Sequence, residues 1–149
     1  MNFLLVLAIS AAPISELRGG IPLAIYLGFS PVEAYLLSVV GNFLPVPFIL
    51  LALDRLLNIA SRFKFIWNLY EKIELRVERK KDLVERYGYL GLVLFVAVPL
   101  PVTGAWTACL LAFLLNLNRF KSSLSILAGI CIAGVIVISP IIGFFNFIK

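Results

Sequence analysis

Pro13-Ile-Ser-Glu-Leu-Arg-Gly-Gly-Ile-Pro22 interrupts an otherwise apolar start to the chain. The arm before it, Phe3–Ile14, is twelve residues long, and the arm after it, Ile21–Phe29, is nine. A helix needs about 20 residues at ~1.5 Å each to cross ~30 Å of hydrocarbon, so neither arm crosses alone. Proline removes a backbone donor and glycine is entropically poor in a helix. Two short arms around such a break read as a re-entrant hairpin, entering and leaving lipid on one side. Non-helical backbone at membrane depth is tolerated only against protein or a watery cavity. The hairpin therefore needs something to face.

A second break supplies it. Pro99-Leu-Pro-Val-Thr-Gly104 separates Tyr89–Val98 from Gly104–Leu115, ten and twelve residues. Each pair of short arms is followed by a run long enough to cross: Val32–Leu53 and Leu124–Ile148, twenty-two and twenty-five residues. Gly19-Gly20-Ile21 aligns with Gly104-Ala105-Trp106 at an offset of 85, and Val40-Gly41 with Ala128-Gly129 at 88. Each half reads as a hairpin plus one crossing helix. An odd number of crossings inverts the second copy, the inverted-repeat plan of many secondary transporters. The expected fold is all-α integral membrane: repeat 1 over residues 1–53, a connector over 54–87, and repeat 2 over 88–149.

Composition agrees. Of 149 residues, 62% are hydrophobic and 14% charged, against about a quarter charged in an ordinary globular chain. Lipid is the solvent that suits this balance. Nine Lys/Arg and six Asp/Glu, fifteen of the twenty-one charges, fall between Asp54 and Arg86. Leu56, Ala60, Phe63, Trp67, Tyr70, Ile73, Val77, Val84 and Tyr87 recur there at helical spacing, so the block reads as one long amphipathic helix ended by Gly88. Arg119 and Lys121 share its side of the bilayer. The positive-inside rule puts that side in the cytoplasm and both termini outside the cell membrane. The net charge of +5 does not imply nucleic acid, because the basic residues alternate with acids and no recognition module is present.

With no histidine, the chain cannot hold a Cys/His zinc site or a His-based triad. Cys109 and Cys131 lie in apolar runs and read as packing residues. No metal, cofactor or enzyme chemistry is expected. The first thirteen residues lack the basic start of a cleaved signal peptide.

Chemistry is therefore sought at the breaks. Glu16 and Arg18 are costly at membrane depth and must be paired or wet. Arg18 offers a planar fork for phosphate or carboxylate. Pro22 suits the first turn of a returning half-helix, and Gly104 starts the other, so two sets of free N–H groups would point into one place. Glu16 then serves as proton-coupling acid or cation ligand. Equally, Glu16 and Arg18 can be an ion pair that locks the hairpin. Gly19 and Gly20 complete the first break; Pro99, Pro101, Thr103, Gly104, Trp106 and Thr107 form the second. Trp106 suits a cavity wall or an interfacial belt. Asn42 suits an interhelical hydrogen bond or a pathway contact. Glu33, three residues after Ser30, reads as a helix cap.

Glu16-Leu-Arg-Gly-Gly-Ile-Pro-Leu23, Gly41-Asn-Phe-Leu-Pro-Val-Pro47, Arg86-Tyr-Gly88 and Pro99-Leu-Pro-Val-Thr-Gly-Ala-Trp-Thr107 together resemble the small multidrug export protein family. That family is more distantly similar to the DedA/VTT membrane proteins. The resemblance implies paired re-entrant hairpins and transport. Through the DedA relatives it implies proton coupling or lipid flipping, with Glu16, Arg18, Pro99, Pro101, Thr103 and Gly104 as the embedded site.

The expected function is a proton-coupled transporter, or a lipid flippase or scramblase, moving an anionic solute or lipid head group through a midplane site. Two alternatives stand beside it: a small-molecule exporter, and a non-transporting assembly factor docking through the connector. Two crossing helices cover four half-helices poorly; a homodimer would cover them better, and the oligomeric state stays open.

Overall fold

The computed structural model describes residues 2–60, 75, 84–98 and 103–148, with backbone alone for 54, 56–60 and 145–148. The regular elements among these residues are α-helices: α1 Asn2–Ala11, α2 Glu16–Tyr26, α3 Pro31–Phe43, α4 Pro45–Ala60, α5 Tyr89–Ala97, α6 Ala105–Leu114 and α7 Arg119–Ile148. Most of the connector, 61–74 and 76–83, lies outside the described residues, as do Pro99 and Pro101.

Two stretches are long and apolar enough to cross a membrane, Pro31–Leu53 (23 residues, α3 with the start of α4) and Arg119–Phe144 (26 residues, in α7). Leu44, between α3 and α4, keeps helical dihedrals, so Pro45 begins α4 without turning the chain. Pro31, Val32 and Tyr35 lie beside Val135, Ile138 and Ile142, whereas Pro47, Leu50 and Leu51 lie beside Arg119, Phe120 and Ser123. The two long stretches therefore run antiparallel. The α1–α2 pair packs on α3, and the α5–α6 pair packs on α7.

The distribution of polarity is inside out. Val32, Leu36, Val40, Phe48, Leu51, Leu124, Val135 and Ile142 are exposed, while Ser10, Ser38, Asn42 and Ser122 are buried. An outer surface of large aliphatic side chains suits lipid, and polar atoms inside such a fold must find partners within it. The protein is an integral membrane protein.

Both halves close their elements in the same way. The chain leaves α2 through Gly28 at φ +89°, with Phe29 N–H on Ala24 O (3.1 Å). It leaves α6 through Asn116 at φ 51°, with Leu117 N–H on Ala112 O (2.9 Å). Both are left-handed helix endings. Ser30 Oγ then caps α3 by accepting from Glu33 N–H (3.3 Å), and Asn118 Oδ1 caps α7 by accepting from Lys121 N–H (3.2 Å). Phe29 and Leu117, and Glu33 and Lys121, are each 88 residues apart.

The glycines Gly41 and Gly129 share that offset and play one role. A Cβ on Gly41 would lie 2.8 Å from Leu7 O and 2.9 Å from Ser10 Cβ; one on Gly129 would lie 2.8 Å from Val93 O and 2.6 Å from Val96 Cβ. Each lets a long helix meet the backbone of the first arm of its hairpin, the close approach typical of membrane helices.

The first break is shorter than the sequence reading made it. Helix α2 starts at Glu16, so Gly19, Gly20 and Pro22 lie inside it. Pro22 stands in its second turn, where it leaves the Arg18 carbonyl without the usual helical donor. Gly19 and Gly20 are there for space: their added Cβ atoms would meet Ser15 Cβ (2.7 Å) and Ser38 Oγ (2.9 Å), respectively. Matching the helix ends pairs Glu16 with Gly104, so the offset is 88 through α2 and α6 rather than 85.

At the opposite end of the second hairpin, Gly88 takes φ 58° and closes the helical residues 84–87. Tyr89 Oη accepts from Asn118 N–H (3.1 Å), and Lys121 lies over the Tyr89 ring at 5.9 Å. The end of the connector and the Arg119/Lys121 loop are thus together.

Candidate functional site between the two breaks

Glu16 opens α2 with φ 45°, a left-handed conformation uncommon for a residue with a Cβ. Ser15 Oγ, just before it, donates to Ile9 O and fastens the turn to α1. This sharp entry turns the Glu16 side chain across to the other half of the molecule. Its carboxylate lies against Gly104 at the start of α6, beside the backbone N–H groups of Ala105 and Trp106, with the Arg18 charge near it. Ala105 and Trp106 are the first two residues of α6, whose N–H groups have no partner within the helix. Glu16 therefore supplies the anion that this helix start favours.

Gly104 makes the contact feasible. It is the N-cap of α6, and a Cβ there would run into both Glu16 carboxylate oxygens. Two further bonds cross between the breaks. Arg18 Nη2 donates to Thr103 O at 3.4 Å, and Trp106 Nε1 donates to Ala11 O at 3.0 Å. Within the second break, Thr103 Oγ1 donates to Val98 O (2.7 Å), while Thr107 Oγ1 accepts from Gly104 N–H (3.1 Å). Each break is thus held by its own hydroxyls, and the two are joined by the bonds from Arg18 and Trp106.

Between them lies a cavity of about 60 Å³ lined by Glu16, Arg18, Thr103, Gly104, Trp106 and Thr107, with Pro13, Ile14 and Ser15 at the tip of the first hairpin. A second space of about 10 Å³ continues from Glu16 and Arg18 to Asn42, Val96 and Ala133. Of the residues singled out from sequence, Glu16, Arg18, Thr103, Gly104 and Trp106 thus converge. Asn42 is 2% exposed and joins them through the smaller space, its Oδ1 without a hydrogen-bond partner. Gly19, Gly20 and Pro22 line neither cavity. Among the described residues no three His, Cys, Asp or Glu side chains cluster as a metal site. Cys109 and Cys131 are free thiols, Cys109 buried where α6 crosses α4.

Sequence reasoning missed Ser10, Ser15 and Ser38. Their signal was available, since each is a hydroxyl in or beside an apolar run, where a polar group is expensive.

The sequence model of a family described as "Putative small multi-drug export protein" matches residues 16–136. The chain belongs to that family. The match begins at Glu16, takes in the second break and the first long stretch, and ends within the second at Ile136. It carries no DedA/VTT relation with it. No curated protein and no solved structure matches the chain. For the small multidrug export family, the geometry above gives the paired breaks a chemical content: one carboxylate, one guanidinium and one helix start in a shared cavity.

Proposed function

We propose that the protein is a proton-coupled exporter in which two re-entrant hairpins, related as an inverted repeat, meet at a midplane site. The observation that carries this reading is the Glu16 carboxylate seated on the start of α6. One ionisable side chain from the first half holds the second half in place, so its protonation state decides how firmly the breaks are joined. Charge-assisted hydrogen bonds are roughly twice as strong as neutral ones, and a protonated carboxyl gives them up. The antiparallel long stretches and the repeated caps support the inverted repeat. The charged connector, the Tyr89 end and the Arg119/Lys121 loop support a common cytoplasmic side, with both termini outside.

A cavity of about 60 Å³ has room for a couple of waters, far below the ~300 Å³ or more of a ligand pocket. Export requires the hairpins to part, and the contacts that must break are Glu16 on α6, Arg18 on Thr103 and Trp106 on Ala11. A substrate enters where those groups were. The exporter reading takes a small organic solute, in keeping with the family description. A second reading has a specific observation behind it: Arg18 is exposed and lines the same cavity. In that reading an anionic solute or lipid head group displaces the Glu16 carboxylate and takes Arg18 and the α6 N–H groups together.

Proteoliposomes test both readings. Glu16→Gln abolishes proton-driven efflux of lipophilic cations in the exporter reading, while Arg18→Lys retains part of it. Loss with Arg18→Lys and retention with Glu16→Gln would favour the anionic substrate. Full transport with both variants would overturn both readings, and no transport by the wild-type protein would leave a non-transporting assembly factor.

A further inference from the structure

Ser10 and Ser38, with Asn42 one turn further along α3, are buried polar residues of the first half whose oxygens the cavity between the breaks leaves without a protein partner. Ser10 and Ser38 have no solvent exposure, and neither hydroxyl has a hydrogen-bond partner. A serine in a helix ordinarily bonds the carbonyl one turn earlier. Here both hydroxyls abut the Cα of Gly20, where an added Cβ would collide with each oxygen. Asn42 stands one turn beyond Ser38 on the same face of α3, and its Oδ1 is also unpartnered.

Packing does not require these residues. The same positions in the second half, 88 residues on, are Ile126 and Ile130, both fully buried. The counterpart of Ser10 is Val96, since Gly129 meets Val96 as Gly41 meets Ser10. One framework thus packs dry with Val, Ile and Ile, and carries three unpartnered oxygens in the other copy. An unpartnered hydroxyl or amide in an apolar interior is costly, because it gives up its hydrogen bonds to water and gains none. Something that accepts their lone pairs offsets that cost.

We propose that Ser10, Ser38 and Asn42 bind a small monovalent cation, sodium, between α1, α2 and α3. Three features select this occupant. The donors are neutral oxygens, which suit a hard cation, and too little negative charge is present for a divalent one. Ser10 is the penultimate residue of α1, so the negative end of that half-helix faces the site, as at the sodium sites of broken-helix transporters. Close packing against Gly20 and Gly41 favours a small ion over potassium. Glu16 and Arg18 are the charged groups nearby, and both line the space beside Asn42. The carboxylate favours the ion, and the guanidinium places it on the Ser10–Ser38 side. This site is separate from the exporter reading and stands without it.

Melting of the purified full-length protein in equimolar NaCl, LiCl, KCl and choline chloride tests the proposal with no transported solute involved. A saturating ion raises the midpoint by about 4 °C or more over choline. Sodium or lithium should do so, and potassium less. Ser10→Ala and Ser38→Ala should each remove most of the sodium shift, whereas Ser122→Ala, at a buried serine of α7, should keep it. Equal midpoints in all four salts would overturn the site, as would an equal rise with every inorganic salt. A sodium shift that survives both Ser10→Ala and Ser38→Ala would overturn it too. If one of these variants cannot be purified, the wild-type series and the other variant decide.

Discussion

At matching positions 88 residues apart, the first half carries Glu16, Arg18, Ser38 and Asn42 where the second carries Gly104, Trp106, Ile126 and Ile130. The backbone plan is common to both. Each half has two short helices packed on a long one, a left-handed exit from the second short helix, a capped start to the long one, and a glycine against a first-arm carbonyl. The side chains differ in kind. At these positions the second half is apolar and offers a helix start; the first offers two charges, a hydroxyl and an amide. The charges and the helix start thus come from different halves of the molecule, and the cavity forms only where both meet.

The difference can be broken by moving residues across it. Ile130→Asn places the polar side chain of the first half in the apolar second half. It should cost about 4 kcal/mol, from lost burial plus an unpaired amide, read as a large fall in the melting midpoint in detergent. The reciprocal Asn42→Ile, read in choline chloride without sodium, should be far milder, because it removes a group with no protein partner from a similar framework. Equal costs would show the halves to be alike inside.

Gly104→Ala sharpens the comparison at the cavity. Its Cβ collides with the Glu16 carboxylate and should cost about 1–3 kcal/mol. Adding Glu16→Ala should recover part of that loss, giving a double-mutant coupling of about 1 kcal/mol or more. Additive costs would separate the two residues.

Trp106→Phe should have the smallest effect. It removes one hydrogen bond, to Ala11 O, worth about 1 kcal/mol. Because that bond ties the tip of the first hairpin to α6, labelling of a cysteine at position 14 by small aqueous thiol reagents should speed up in a background lacking Cys109 and Cys131. An unchanged rate would mean that Trp106 does not hold the tip.

Sequence singled out Glu16 and Arg18 as candidate site residues because charge in an apolar membrane segment is expensive wherever the fold puts it. Thr103, Gly104 and Trp106 were legible as a break for a similar reason, since proline and glycine act on their own backbone. The start of α2 was not. Pro22 and two glycines look like breakers in isolation, yet the helix runs through them because α1 and α3 pack against the space the glycines leave. Nor could sequence assign the start of α6 to Glu16 rather than to a substrate, since two partners 88 residues apart meet only through the packing of both hairpins.

The sequence alone determined that this chain suits lipid, with two stretches long and apolar enough to cross it and shorter apolar helices set apart by breaks. These properties follow from local hydrophobicity, length and backbone chemistry. Tertiary structure decided which oxygens are paired and which are not. That depends on what stands opposite each side chain once the helices are packed, and opposite neighbours are set by the whole fold rather than by any one segment.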